Sequence, residues 1–576
     1  MKQQSKNKQL QILEKVKAYY QESKNSSIYQ NWLANAKQAW NFYDGEQWTE
    51  SEKLALEKFA QAPIVINKIA TKIDSVSGNE ISSRTRVAYR SRTGEQNEEN
   101  TARALTDLAL YVAEKNDQSI ELSNMFKAGL ITGVGWLDIG VKNNGNIPYI
   151  FNNAENELNV IFDVRSRSLD YSDARFVARE KWLDIPTLQA LFKEKANPVI
   201  KELQAHSYNQ NYGFSFNEEL TSAEEYLNTQ EQRAKVVEVQ FKQTEKLYTV
   251  TNKLGQSFST FDKTLAYKEK ENDVTETFNY RTYLVYFTEH TVLEFKALDY
   301  DFNDFTLVPF FFKRKRTTGE PYGLVKSAID PQKEYNKRRS KALHLLNTVQ
   351  VIADVDAVED PNILAREAAR PDGVILKRPG KDLKILRNAE LANSQVAIMN
   401  QATADIQETT GVFDDRLGKK TDAVSGVAIA QRQIASTNNQ MFAFDNLRKV
   451  KKQLGRMVLS LIRQYFTSEM IINITDDISV PKLVSLNKAA TDEQGNPIFD
   501  ENNKLVKIND VSFGDFDIHV EEVKDALSSQ EYELNQLLAL KSAGVAIPND
   551  LLIESTSLKS KDKIISTNQQ LNNKEA

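Results

Sequence analysis

Few residues in this chain have the type and spacing that catalysis requires. Gly418, Lys419, Lys420 and Thr421 match the end of a phosphate loop, but the position that needs the upstream glycine holds Phe413, and no strand leads in. Both features are required, because backbone N–H groups cradle phosphates only when a strand and a glycine turn deliver them. Gly133 and Gly135 lack the third glycine of a dinucleotide fingerprint, and Gly140 stands too far away, so they read as a tight turn into a strand. Asp354 and Asp356 start like a calcium loop, yet the next ligand position is Val358 and no glycine follows. The doublets Asp414–Asp415 and Asp476–Asp477 read as solvated turns. His206, His290, His344 and His519 are scattered, with no H-x-x-x-H pair, and no G-x-S-x-G elbow is present. The expectation is a protein that is not an enzyme, with no catalytic, cofactor-binding or metal-ligating residues.

What the residues do offer is charge in blocks. Lys333, Lys337 and Lys341 recur every four residues and share one helix face, flanked by Arg338 and Arg339. From Asp330 to His344 five cations oppose two anions. Between Asn388 and Asp415 there is no Lys or Arg, while Glu390, Asp405, Glu408, Asp414 and Asp415 add five negative charges. Residues 354–367 hold five acids and one base, and residues 370–387 hold six bases and two acids. Arg448, Lys449, Lys451, Lys452 and Arg456 crowd one stretch of a long helix, which reads as either an exposed face or a nucleic-acid patch. Blocks of opposite sign suit pairing between lobes or between identical subunits joined head to tail.

Composition bounds the rest. The chain has 576 residues, 74 Lys and Arg against 79 Asp and Glu, a net charge of -5, and no cysteine. Disulfide frameworks and thiolate metal sites are therefore excluded. No apolar run approaches the roughly 18 residues of a membrane span, and the lysine-bearing start lacks the apolar core of a secretory signal. A mildly acidic total argues against tight, general nucleic-acid binding.

Elements follow from periodicity. Residues 1–60 read as helices around a turn at Tyr43–Trp48. Pro63 opens an apolar helix from Ile64 to Val76, followed by a strand at 86–90 and helices at 98–116 and 118–131. Strands are expected at 136–141, 160–163, 174–182, 236–241, 280–287 and 305–312, with a polar insertion at 195–232. Helix 322–347 carries an interruption at Pro331. Residues 350–388 read as extended, with a type II turn at Arg378-Pro379-Gly380-Lys381. A helix at 391–410 ends at Gly411, and 425–466 reads as one helix of about 60 Å. Strands at 470–474 and 516–520 follow, then a helix from the capping box Ser528–Glu531 to Ala543 and a polar tail.

Several short segments, in this order, carry a resemblance. They are Tyr43–Trp48, Ala62–Ile69, Tyr322–Gly323, Gln332 with Asn336–Ser340, Ala369–Ile375, Ser425–Ile429 with Arg432–Gln433, and Phe444–Arg448. Together they cover about residues 30–540, and the chain resembles the portal proteins, or head-to-tail connectors, of short-tailed double-stranded-DNA bacteriophages. The resemblance implies an α+β portal fold. In it, 1–320 would be the N-terminal segment and mixed wing, and 321–348 the first stem helix. The small α/β clip would span 349–390, the second stem helix 391–410 and the tunnel loop 411–424. Residues 425–519 would be the long bridging helix and return to the wing, and 520–576 a helical crown and tail, too short for the C-terminal barrel of some members. It implies a ring, of twelve copies in the family, at one capsid vertex, with double-stranded DNA in its channel. Capsid protein, the large terminase and later a tail adaptor protein would be partners. It also implies assembly in the host cytoplasm, residence in the virion, no cofactor and no membrane. Candidate DNA contacts are Arg416, Lys419, Lys420, Lys333, Lys337 and Lys341. Candidate clip contacts to terminase or adaptor are Arg370, Lys377, Arg378 and Lys381. Another virion structural protein and a DNA-processing enzyme are the alternatives.

Overall fold

The computed structural model describes residues 2–90, 96–144, 147–211, 226–251, 257–268, 273–370, 372–387, 389–413, 426–467, 470–475 and 481–490, with shorter stretches between 497 and 554. It is a mixed helix and sheet fold. Antiparallel strands Val292–Ala297, Asp273–Phe287, Arg233–Thr251, Phe176–Asp184 and Val160–Phe162 lie side by side in that order, and Leu227–Asn228 and Ser257–Thr260 also join Arg233–Thr251. A second sheet sets Val134–Asn144 between Leu307–Phe311 and Ile147–Glu155. Thr85–Arg90 pairs with His519–Lys524, so distant parts of the chain close on each other. No helix among the described residues is long and apolar enough to cross a membrane.

The long helix is Gly426–Tyr465, 40 residues. Ala443, Leu447, Val450, Leu454, Val458 and Leu461 are buried at spacings of three or four. This stripe packs into the core that also holds Phe126, Leu108 and Phe310. The basic run on this helix does not form one face. Lys451 is buried and donates to the Thr85 hydroxyl at 3.0 Å, whereas Arg448 and Lys449 lie outside within 3.9 and 3.7 Å of Asp445. At about 100° per residue, neighbours in sequence point in different directions.

Four expectations are corrected. The helix expected from Ile64 begins at Ile69. Helix Val325–Asn347 passes through Pro331 without a break. Residues 350–388 are not all extended, because Asp360 caps a helix Pro361–Ala369 by accepting from the Asn362 N–H at 2.8 Å. The polar 195–232 stretch contains helix Asn197–Asn211, anchored by buried Val199, Ile200 and Leu203. The capping box at 528–531, residues 516–518 of the expected last strand, and the tail after 554 lie outside the described residues.

The start of helix Val325–Asn347 is fixed by backbone passing against backbone. Gly133 ends helix Gln118–Thr132 at φ 98°, and a Cβ there would lie 2.3 Å from the Tyr322 nitrogen. A Cβ on Gly323 would stand 2.2 Å from the Ile131 carbonyl oxygen. Only glycine fits such an approach. The Leu324 N–H donates to the Leu130 carbonyl at 2.7 Å across it.

Inside the sheet layers lies a buried ion cluster. The Arg179 guanidinium touches Asp138 at 2.6 Å, Glu155 at 2.7 Å and Glu238 at 2.7 Å. Thr306 and Gln240 complete the network, their side chains donating to Asp138 at 2.8 Å and Glu238 at 3.0 Å. Burial pushes the Asp138 carboxyl above its ordinary range; Arg179 opposes this and Glu238 adds to it.

Candidate functional site

Helices Val325–Asn347 and Ala389–Thr410 pack along each other. They are antiparallel, for Ser327 donates to the Thr409 carbonyl at 3.4 Å and Arg338 reaches Gln395 at 3.4 Å. Ala392, Met399, Ala402 and Ile406 form the buried stripe of the second helix. It ends at Gly411, φ 67°, as its sequence predicts.

The three motif segments 43–48, 62–69 and 332–340 converge on the first helix. Gln332, Asn336 and Ser340 are buried at steps of four along one stripe. Ser340 accepts from the Ile64 N–H at 3.2 Å, Asn336 from the Ile66 N–H at 3.2 Å, and Gln332 from the Lys68 N–H at 3.0 Å. Gln332 returns a bond to the Ile66 carbonyl at 2.8 Å, and the Trp48 indole donates to the Ile64 carbonyl at 3.0 Å. Asn336 also donates to Gln47 at 2.6 Å. Four helical residues rise about 6.0 Å and two extended residues about 6.6 Å, so the two repeats keep step. This is why residues 64–68 stay extended: their N–H groups are taken by the neighbouring helix.

The lysine stripe lies one residue round from this ladder. The Lys333 ammonium sits 5.6 Å from the centre of the Phe42 ring, and Lys337 pairs with Glu52 at 3.3 Å. Lys341 and Arg339 stand exposed, with no carboxylate in ion-pair range among the described residues. Arg338 pairs with Glu334 at 3.2 Å. No cation among the described residues pairs with Glu390, Asp405 or Glu408 of the second helix, so the acidic helix is not neutralised by its partner helix within one chain. Arg416, Lys419 and Lys420 lie outside the described residues.

The two helices carry a small lobe at their far end. Strands Val349–Ala353 and Leu383–Arg387 pair antiparallel, with helix Pro361–Ala369 between them in sequence. Asp354 ties the strand ends, its carboxylate accepting from the Asp382 N–H at 2.7 Å, and so serves a turn rather than an ion. Gly380 takes φ 80°, as the type II turn requires. Lys377, Arg378 and Lys381 gather there, exposed, Lys377 donating to the Lys381 carbonyl at 3.2 Å. Arg370 lies by Glu367 at 3.6 Å and Asp372 at 3.5 Å. Among the described residues the lobe buries only Ala357, Leu364 and Ala368 of its apolar side chains, while Val355 is 83% and Leu376 82% exposed. That is too little core for so much uncovered apolar surface in a lone subunit.

Elsewhere, a cavity of about 400 Å³ opens beside Glu80, Arg84 and Lys451. Its buried charges are already engaged: Lys451 lies 3.8 Å from Glu80, and the Ser123 hydroxyl donates to Glu80 at 2.5 Å.

Comparison with protein families finds one across residues 17–576, the phage P22-like portal proteins. The chain belongs to that family. No curated protein matches it. The order of the motif segments in this portal protein is thereby explained. Sequence reasoning did not detect the ladder itself, although Gln332, Asn336 and Ser340 at steps of four, set against an alternating segment, were its visible signal.

Proposed function

We propose that this chain is the portal subunit that forms a ring-shaped DNA channel at one capsid vertex of a phage, acting in packaging and ejection as a structural protein, not an enzyme. Family membership over nearly the whole chain carries this reading. In it, helices Val325–Asn347 and Ala389–Thr410 form the stem, residues 349–390 the clip, and residues 411–424 the tunnel loop. The clip's exposed apolar residues and its basic turn, with Lys377, Arg378, Lys381 and nearby Arg370, are the surface for neighbouring copies, the large terminase and then a tail adaptor. Capsid protein meets the wing, and the ring, of twelve copies in this reading, assembles in the host cytoplasm and stays in the virion. Electron micrographs of the purified protein are expected to show closed rings with a central hole; shells or filaments would contradict the reading.

A channel must let DNA slide. Three lysines repeated in twelve copies make about 36 potential phosphate contacts, each adding about -0.9 to the salt slope, and full engagement would hold the DNA fast. Lys337 is muted by Glu52 and Lys333 by its place over Phe42. The acids of the second stem helix, which have no cation partner among the described residues, meet cations of the next subunit. The phosphate contacts then fall to Lys341 and to the tunnel-loop residues Arg416, Lys419 and Lys420. Changing Lys419 and Lys420 together to alanine is expected to alter DNA packaging or retention while rings remain intact. Unchanged packaging and retention in that variant would remove the tunnel loop from the mechanism.

A further inference from the structure

We propose that Glu202, Glu289 and His290 form a binding site for a first-row divalent cation, Zn²⁺ above all. One ligand atom from each lies within 4.8 Å of the others. Glu202 belongs to helix Asn197–Asn211, and Glu289 and His290 to the turn joining strands Asp273–Phe287 and Val292–Ala297. They are 87 residues apart in sequence and are brought together by apolar packing, Leu203 of the helix sharing a core with Leu293 of the strand. The turn is held by the Thr288 N–H donating to the Thr291 carbonyl at 2.9 Å, and by Lys17 donating to the Glu289 carbonyl at 2.7 Å.

A second observation points to a cation. Glu289 Oε2 is shielded from solvent and has no hydrogen-bond donor among the described residues. A buried carboxylate oxygen without a donor is costly and calls for a positive partner. Lys17 acts on this carboxylate only through space, its ammonium donating to the Glu289 backbone carbonyl at 2.7 Å. The other oxygen, Oε1, lies 3.7 Å from His290 Nε2. His290 is largely exposed, which leaves the remaining coordination positions to water.

The donor set selects the ion. An imidazole with two carboxylates suits zinc and its first-row neighbours, whereas magnesium and calcium prefer oxygen alone. Donors 2.0–2.2 Å from one tetrahedral zinc stand about 3.5 Å apart, so the three side chains need close by no more than about 1.3 Å on binding. The bound ion would pin the 197–211 helix to the edge of the large sheet.

Zinc titration of the full chain by calorimetry tests the site. The natural chain is expected to take up one saturable equivalent, with its thermal midpoint rising as zinc is added. E202Q and H290A should each weaken uptake at least tenfold and abolish the midpoint shift, with circular dichroism unchanged. H344A, which removes a histidine from the stem helix, should bind as the natural chain does. No saturable uptake, equal uptake by E202Q and H290A, or loss of uptake in H344A would each overturn the site. Ring formation is unaffected in either case, so the outcome is independent of the portal reading.

Discussion

Replacing Arg179 with methionine is expected to lower stability by about 4 kcal/mol at pH 7, within the 3–5 kcal/mol that follows removal of one partner from a buried ion pair. Methionine keeps most of the volume, so the loss is electrostatic rather than a cavity. Asp138, Glu155 and Glu238 would be left facing each other, with Lys181, 3.2 Å from Glu155, as the nearest paired cation. For a domain of 150–250 residues this corresponds to a fall of roughly 8–16 °C in unfolding midpoint.

The pH dependence distinguishes this from a simple packing defect. Burial raises the Asp138 carboxyl even in the natural chain, Arg179 holding it back. A carboxyl raised in the folded state keeps a proton that the unfolded chain releases, so its contribution to stability falls as pH rises through and above the ordinary range near 3.9. Without Arg179 that window extends upward. The deficit of R179M should therefore grow from pH 5 to pH 8 in calorimetric scans. A deficit that stays constant over that range would show that charge is not its cause. Asp163 behaves oppositely. Burial pushes it up, but bonds from Arg175 at 2.8 Å and from two backbone N–H groups outweigh this and hold it below its usual value. Its contribution is present at neutral pH and is lost as pH falls below the ordinary carboxylate range.

How legible this was depends on whether the deciding contact was local. The 425–466 helix, the turn at 378–381 and the Gly411 stop follow from apolar spacing and glycine placement, and the structure has them within one or two residues. The start of helix Ile69–Ser82 did not follow. Pro63 and the apolar run after it satisfy a helix locally, but side chains more than 260 residues away take the N–H groups of residues 64, 66 and 68. Helix Pro361–Ala369 was a different case, since Asp360-Pro361 is a local start signal that the surrounding charge blocks obscured. The charge blocks were legible as blocks, but their partners were not, because Lys337 meets Glu52 across the fold. The Glu202, Glu289 and His290 cluster had no spacing to reveal it, as its parts come from a helix and a distant turn.

Asn336 should be the residue on helix Val325–Asn347 least able to change. Asn336→Leu removes the acceptor of the Ile66 N–H, the acceptor of the Gln332 amide at 3.1 Å and the donor to Gln47. Leucine keeps the number of side-chain heavy atoms, so no cavity is left. The Ile66 N–H and the Gln47 oxygen would remain, and Gln47 is 3% and Asn336 1% exposed, so water cannot replace the lost partner. At roughly 1–3 kcal/mol for each buried group left unmade, the expected loss is about 4 kcal/mol. Arg339→Leu, three residues on and exposed, should change stability by no more than about 0.5 kcal/mol. The double change of Asn336→Leu with Gln47→Leu is expected to be less harmful than the sum of its parts, since both ends of one bond then go together. Strict additivity in denaturant midpoints would show that the two side chains do not act as one unit. The buried side chains Gln332, Asn336 and Ser340 tie the 64–68 segment to helix Val325–Asn347, beside the Lys337–Glu52 pair to the N-terminal helices. Loosening it should therefore lower ring yield in N336L more than in R339L.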